Sequence, residues 1–152
     1  MESISAANTQ PPPPLWNPNA AGCWSLIFTP LFGAYLHMKN WQALGELERA
    51  RKSKNWAIGS LFFLITLVLS SVLLPDTKGI DGLLRLAGFG LVVSWYYSIG
   101  KSQQSYIAAR FGKKYPRRGW SAPLGAALLG LLAFMLLIFV VAFLVQALHG
   151  AA

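Results

Sequence analysis

Acid and sulfur are what this chain has least of. Of 152 residues, five are Asp or Glu and one is Cys. The single cysteine, Cys23, excludes a disulfide framework and any multi-cysteine metal site within the chain. Charge of either sign is scarce: 12% of residues, against about 25% in an ordinary soluble domain. With 55% hydrophobic residues and a mean hydropathy of +0.46, that scarcity argues against a soluble enzyme. The hydrophobicity equally argues against a disordered chain. Catalytic signatures are missing too. There is no Gly-x-Ser-x-Gly elbow, no His-Glu-x-x-His pair and no phosphate loop. Cys23 has no positioned base, so it is expected to be an inert packing residue. The expectation is a non-catalytic protein, with no cofactor and no metal site.

What is present is hydrophobicity in blocks. Leu124–Leu148 carries no charge and one strongly polar side chain, Gln146. About 20 apolar residues cross a bilayer core. Trp56–Leu74 is a second uncharged block, stopped by Pro75, and Leu83–Ile99 is a third with Arg85 in its first turn. Gly22–Met38 is a fourth, interrupted by Ser25, Thr29 and Pro30. It reads as a span, a re-entrant segment or an interfacial helix. Residues 1–21, with Pro11–Pro14 and Pro18, read as a disordered, solvated tail. The fold class expected is all-α: a polytopic membrane helix bundle of four transmembrane helices (22–38, 56–74, 83–99, 124–148), or three plus one re-entrant segment.

The net charge of +8 is sorted rather than spread. Every Lys and Arg except Lys78 and Arg85 falls in loop 39–55 or loop 100–123. Short basic loops stay on the cytoplasmic side, so both are expected inside, with 75–82 outside. If 22–38 spans, the N-terminus is outside; if it re-enters, the N-terminus is inside. Trp41, Trp56, Trp95, Tyr106 and Trp120 gather at the inner boundary, as amphipathic rings do at headgroup level. The two basic loops also resemble each other. Tyr35 and Lys39, then Arg49 and Trp56, are echoed by Tyr97 and Lys101, then Arg110 and Trp120. They read as a tandem duplication of a helix–basic loop–helix unit, which makes 22–38 a true span.

Several residues stand out. Arg85 is the one charge inside a span, and Asp81 one turn earlier is placed to pair with it. Lys113, Lys114, Arg117 and Arg118 suit anionic lipid headgroups on the cytoplasmic side. Ile107 and Phe111, four apart beside Tyr106, suggest a short amphipathic helix lying on that surface. Nucleic acid is not expected, because basic residues between membrane helices have a topological reason to be there. Small residues spaced by four (Ser25, Thr29, Gly33; Gly90, Ser94; Ala122, Ala126, Gly130) are expected to be helix-packing faces.

The most distinctive motif is Asn40-Trp41-Gln42-Ala43-Leu44-Gly45, following Phe28-Thr29-Pro30-Leu31-Phe32-Gly33-Ala34-Tyr35. Asn40 is placed to cap a break and Gly45 to end a turn. Over roughly residues 17–60 the chain resembles a class of small bacterial integral membrane proteins. These have a Pro/Gly-containing apolar helix followed by this motif and a basic loop. The resemblance implies a protein of the bacterial inner membrane and brings no activity with it. The function expected is a scaffold, an accessory subunit or an immunity (protective) protein. The alternative is an oligomeric channel or a small transporter subunit. The partners expected are the bilayer, anionic headgroups, and a protein partner or further copies of the chain.

Overall fold

The computed structural model describes residues 11–74 and 77–150. Residues 1–10 of the expected tail, and Pro75 and Asp76 of the expected outer loop, lie outside them. The described chain is mostly helical, with non-helical segments at 11–17 and 112–120 joined by one isolated parallel bridge between Leu15 and Arg117. Helix α1 runs Pro18–Ala43, α2 Leu47–Leu73, α3 Lys78–Trp95, α4 Lys101–Phe111 and α5 Ser121–Gly150. A π-helical turn, Tyr96–Gly100, joins α3 to α4 without a break.

Three stretches are long and apolar enough to cross a membrane: Leu47–Ser71, Lys78–Phe111 and Ser121–Leu148. The chain is therefore a membrane-type all-α protein, and α1 is not among its candidate spans.

Helix α1 is two helices folded against each other. Asn17 caps its start, accepting from the Asn19 amide at 3.0 Å, and Pro18 supplies the preset φ of a first turn. At Phe28 and Thr29 the backbone leaves helical geometry, and Thr29 takes a φ of 71°. Pro30 follows, and the residue before a proline is disfavoured in the α region. The two halves then run back alongside one another. Asn40 bonds the backbone of Trp16 in both directions, and a Cβ on Gly33 would collide with Ser25 Oγ. The same Cβ would stand 2.6 Å from the Trp95 ring, so only glycine fits at this crossing. Ser25 and Gly33 thus meet across a hairpin rather than sharing one helical face.

The turn from α1 to α2 is much shorter than the expected loop 39–55. Residues 39–43 finish α1, and Arg49–Lys54 lie on the first turns of α2. A Schellman motif makes the stop. The Glu46 amide donates to the Trp41 carbonyl at 2.9 Å, and the Gly45 amide to the Gln42 carbonyl at 3.1 Å. Gly45 takes the left-handed φ of 76° that this motif needs. The two units expected to be duplicates therefore differ locally: Arg49 follows its turn, whereas Arg110 precedes the segment 112–120.

Packing is concentrated at one end. Ala34, Ala57, Trp95 and Ile99 form the buried cluster, flanked by Leu31, Trp56 and Tyr96. On α2 the buried positions are Ala50, Ser53, Ala57 and Ser60. They are all small and lie on one seam, which lets α2 approach α1 closely. By contrast, none of the most apolar stretch of α5 is buried.

Two expectations about α3 and α4 are corrected. Residues 101–111 are not a separate helix lying on a surface: they continue α3, with Gln103 and Ile107 buried. Gly90 meets nothing within 4 Å and Ser94 is exposed, so that pair is not a packing face.

Candidate functional site

Three segments distant in sequence converge at one end of the bundle: residues 14–17, the turn 44–46 and the segment 112–120. Asn40 is their hub. Its Oδ1 accepts from the Trp16 amide at 3.0 Å, and its Nδ2 donates to the Trp16 carbonyl at 2.8 Å. The same Nδ2 donates to Gln103 Oε1 at 3.1 Å, and Gln103 Nε2 donates to the His37 carbonyl at 2.9 Å. Asn40 and Gln103 are fully buried, so each satisfied group avoids the cost of an unpaired one. Asn40 is thus not the cap of a helix break. It mimics a strand, pairing with an extended backbone.

That backbone is locked a second time. The Leu15 amide donates to the Pro116 carbonyl at 3.0 Å, and the Arg118 amide to the Leu15 carbonyl at 2.9 Å. The Leu15 side chain is fully buried. Trp16 Nε1 donates to the Gly119 carbonyl at 3.0 Å. The Arg118 guanidinium lies 4.6 Å from the Trp16 ring centroid, and its Nε donates to the Pro14 carbonyl at 2.9 Å. The solvated tail expected over residues 1–21 is therefore corrected over 14–21: these residues are docked or helical.

Beside this lock is an aromatic and cationic cluster. Trp41, buried, meets Tyr106 edge-on at 5.0 Å. Arg49 lies 4.9 Å from the Trp41 ring and 4.8 Å from the Tyr106 ring. The Tyr106 hydroxyl donates to Glu46 Oε1 at 2.7 Å and accepts from Arg110 Nη1 at 2.6 Å. Arg49 and Glu46 form the one ion pair among the described residues, at 3.5 Å. At exposed sites such pairs and cation–π contacts contribute at most about 1 kcal/mol each. Their role is to fix the turn 44–46 against α4.

The residues singled out in the sequence thus separate into groups. Asn40, Trp41 and Gly45 come together at this end, each with a structural task. Asp81 and Arg85 are both exposed and form no ion pair, so the expected pairing is corrected. Lys113, Lys114 and Arg117 are exposed, whereas Arg118 is engaged with Trp16 and Pro14. Cys23 lies exposed on α1. Residues not singled out for this site by the sequence are Leu15, Trp16 and Gln103, while Tyr106 stood out there only as a boundary aromatic. A polar Gln four residues beyond Ile99 on an otherwise apolar face was the available signal for Gln103.

Deeper in the bundle lies a second set of buried polar groups without hydrogen-bond partners. These are both ring nitrogens of His37, the hydroxyls of Ser53 and Ser60, and Trp95 Nε1. His37 packs on Trp95 at 5.4 Å. No family model, curated protein or solved structure matches the chain.

Proposed function

We propose that the protein is a non-catalytic integral protein of the bacterial inner membrane. In this reading it acts as a scaffold or accessory subunit, presenting a rigid basic platform at the cytoplasmic surface. The observation that carries the reading is the Asn40 lock. Two buried polar side chains at this end, Asn40 and Gln103, are committed to chain segments, as suits a scaffold. Around the lock, Arg51, Lys52, Lys54, Lys113, Lys114 and Arg117 stand exposed. Basic residues at one end suit the cytoplasmic side.

The folded-back α1 supports a re-entrant placement. From Thr29 to Asn40 the second half rises about 16 Å at 1.5 Å per residue, roughly half of a ~30 Å hydrocarbon core. The hairpin would enter one leaflet, turn near the midplane and return. Both ends of α1 are then cytoplasmic.

Cysteine accessibility tests the arrangement. In a Cys23→Ser background, cysteines at Pro14, Glu48 and Lys113 should label from the cytoplasm, and one at Gly79 from the opposite side. Labelling of Pro14→Cys and Gly79→Cys from the same side would overturn the re-entrant placement. For the scaffold role, the detergent-purified chain should retain a stoichiometric second protein. A homomeric ring that conducts ions in liposomes would overturn it in favour of a channel.

A further inference from the structure

Ala122, Ala126 and Gly130, the face of α5 expected to pack against another helix, are exposed. Ala126, Ala127 and Gly130 border a half-open cavity of about 470 Å3, whose other walls include Phe28, Phe32 and Leu64. Small residues on a membrane helix ordinarily let a neighbouring backbone approach, and this stripe faces open volume. Gly130 has nothing within 4 Å of where a Cβ would stand. The lining is almost wholly apolar side chain. An apolar cavity stays dry and accepts apolar guests, so hydrocarbon is its natural filling.

Size and charge identify which hydrocarbon. Along α5 the cavity runs from Pro123 to Phe134, about 16 Å at the helical rise, or the depth of one leaflet. All three walls lead into cations at the same end. Lys39 sits one turn beyond the lining Tyr35, its Nζ 5.7 Å from that ring. Lys54 lies two turns before the lining Leu61 on α2, and Arg117 and Arg118 shortly precede Pro123. No Asp or Glu occurs on α5 or in the segment 112–120.

We propose that this cavity is a binding site for one anionic phospholipid of the leaflet at the basic end. An acyl chain lies between the hairpin tip, α2 and α5, and the phosphate lies near Lys39. The site rests on the membrane placement proposed above.

The test uses the full chain, reconstituted in vesicles of equal parts phosphatidylglycerol and phosphatidylcholine, then taken into mild detergent for native mass spectrometry. One phospholipid per chain should be retained, with phosphatidylglycerol preferred. Ala126→Phe fills the cavity from α5 and Leu64→Trp from α2; each should abolish retention, so one misfolded variant leaves the other decisive. Lys39→Gln should keep a lipid but lose about fivefold of the preference, the effect of one basic residue near an anionic surface. Undiminished retention in a folded filling variant, or a dimer carrying no lipid, overturns the proposal. Alkaline extraction separates the two readings. A chain released without detergent refutes membrane placement itself, whereas a membrane-retained but lipid-free chain refutes only this site.

Discussion

Replacing Asn40 with alanine measures how much of the basic end depends on one side chain. The change deletes three hydrogen bonds, at 2.8, 3.0 and 3.1 Å. A net contribution of about 1 kcal/mol each gives a loss of about 3 kcal/mol. Two of the three bonds, about 2 kcal/mol, hold the docked segment, so its local opening should become about 30-fold more populated, since about 1.4 kcal/mol is a factor of ten. Amide hydrogen exchange reads this opening, and the choice of amide decides the argument. The Trp16 amide would exchange faster merely because its acceptor has gone. The Leu15 and Arg118 amides keep their own acceptors, Pro116 and Leu15, in the variant. Their exchange should accelerate about 30-fold only if Asn40 holds the whole segment down. Acceleration confined to Trp16, with Leu15 and Arg118 unchanged, would refute the hub.

Two further substitutions test other parts of the fold. Gly33→Val places branched carbon against Ser25 Oγ and the Trp95 ring, and should cost about 1–3 kcal/mol as overpacking does. Thermal unfolding in detergent checks it, and an unchanged midpoint would mean the two halves of α1 are not held in contact. Arg85→Leu removes an exposed cation, without an ion pair among the described residues, from within a span and should raise the unfolding midpoint in lipid nanodiscs. A fall would reveal a partner for Arg85.

The spans were legible in the sequence because hydropathy depends on composition alone. Trp56–Leu74 falls within α2 but for its last residue, and Leu83–Ile99 and Leu124–Leu148 fall within α3 with its π-turn and α5. Their ends were less legible. The basic run Arg49–Lys54 looks like loop, yet it is helical because the Schellman turn at Gly45 starts α2 early. The hairpin was hidden by periodicity. Ser25, Thr29 and Gly33 keep a spacing of four across a break that sends Ser25 and Gly33 toward each other. Thr29-Pro30 carried the only local sign of that break. The docking of residues 14–17 on Asn40 had no signature. The main partner of Asn40 is the backbone of Trp16, and backbone groups are the same in every sequence.

The π-helical turn gives the long helix a phase correction. Trp95, Ile99, Gln103 and Ile107 are all buried, each four residues after the last. At 3.6 residues per turn, each step of four overshoots by about 40°, so three steps would carry Ile107 about 120° round from Trp95. The wider turn at Tyr96–Gly100 absorbs part of that drift and keeps one stripe facing the hairpin. Chain length therefore means different things on the two sides of Phe111. One residue lost between 96 and 100 re-aims every side chain of α4, whereas one lost between 112 and 115 shortens a connection ahead of the residues that hold Leu15 and Trp16.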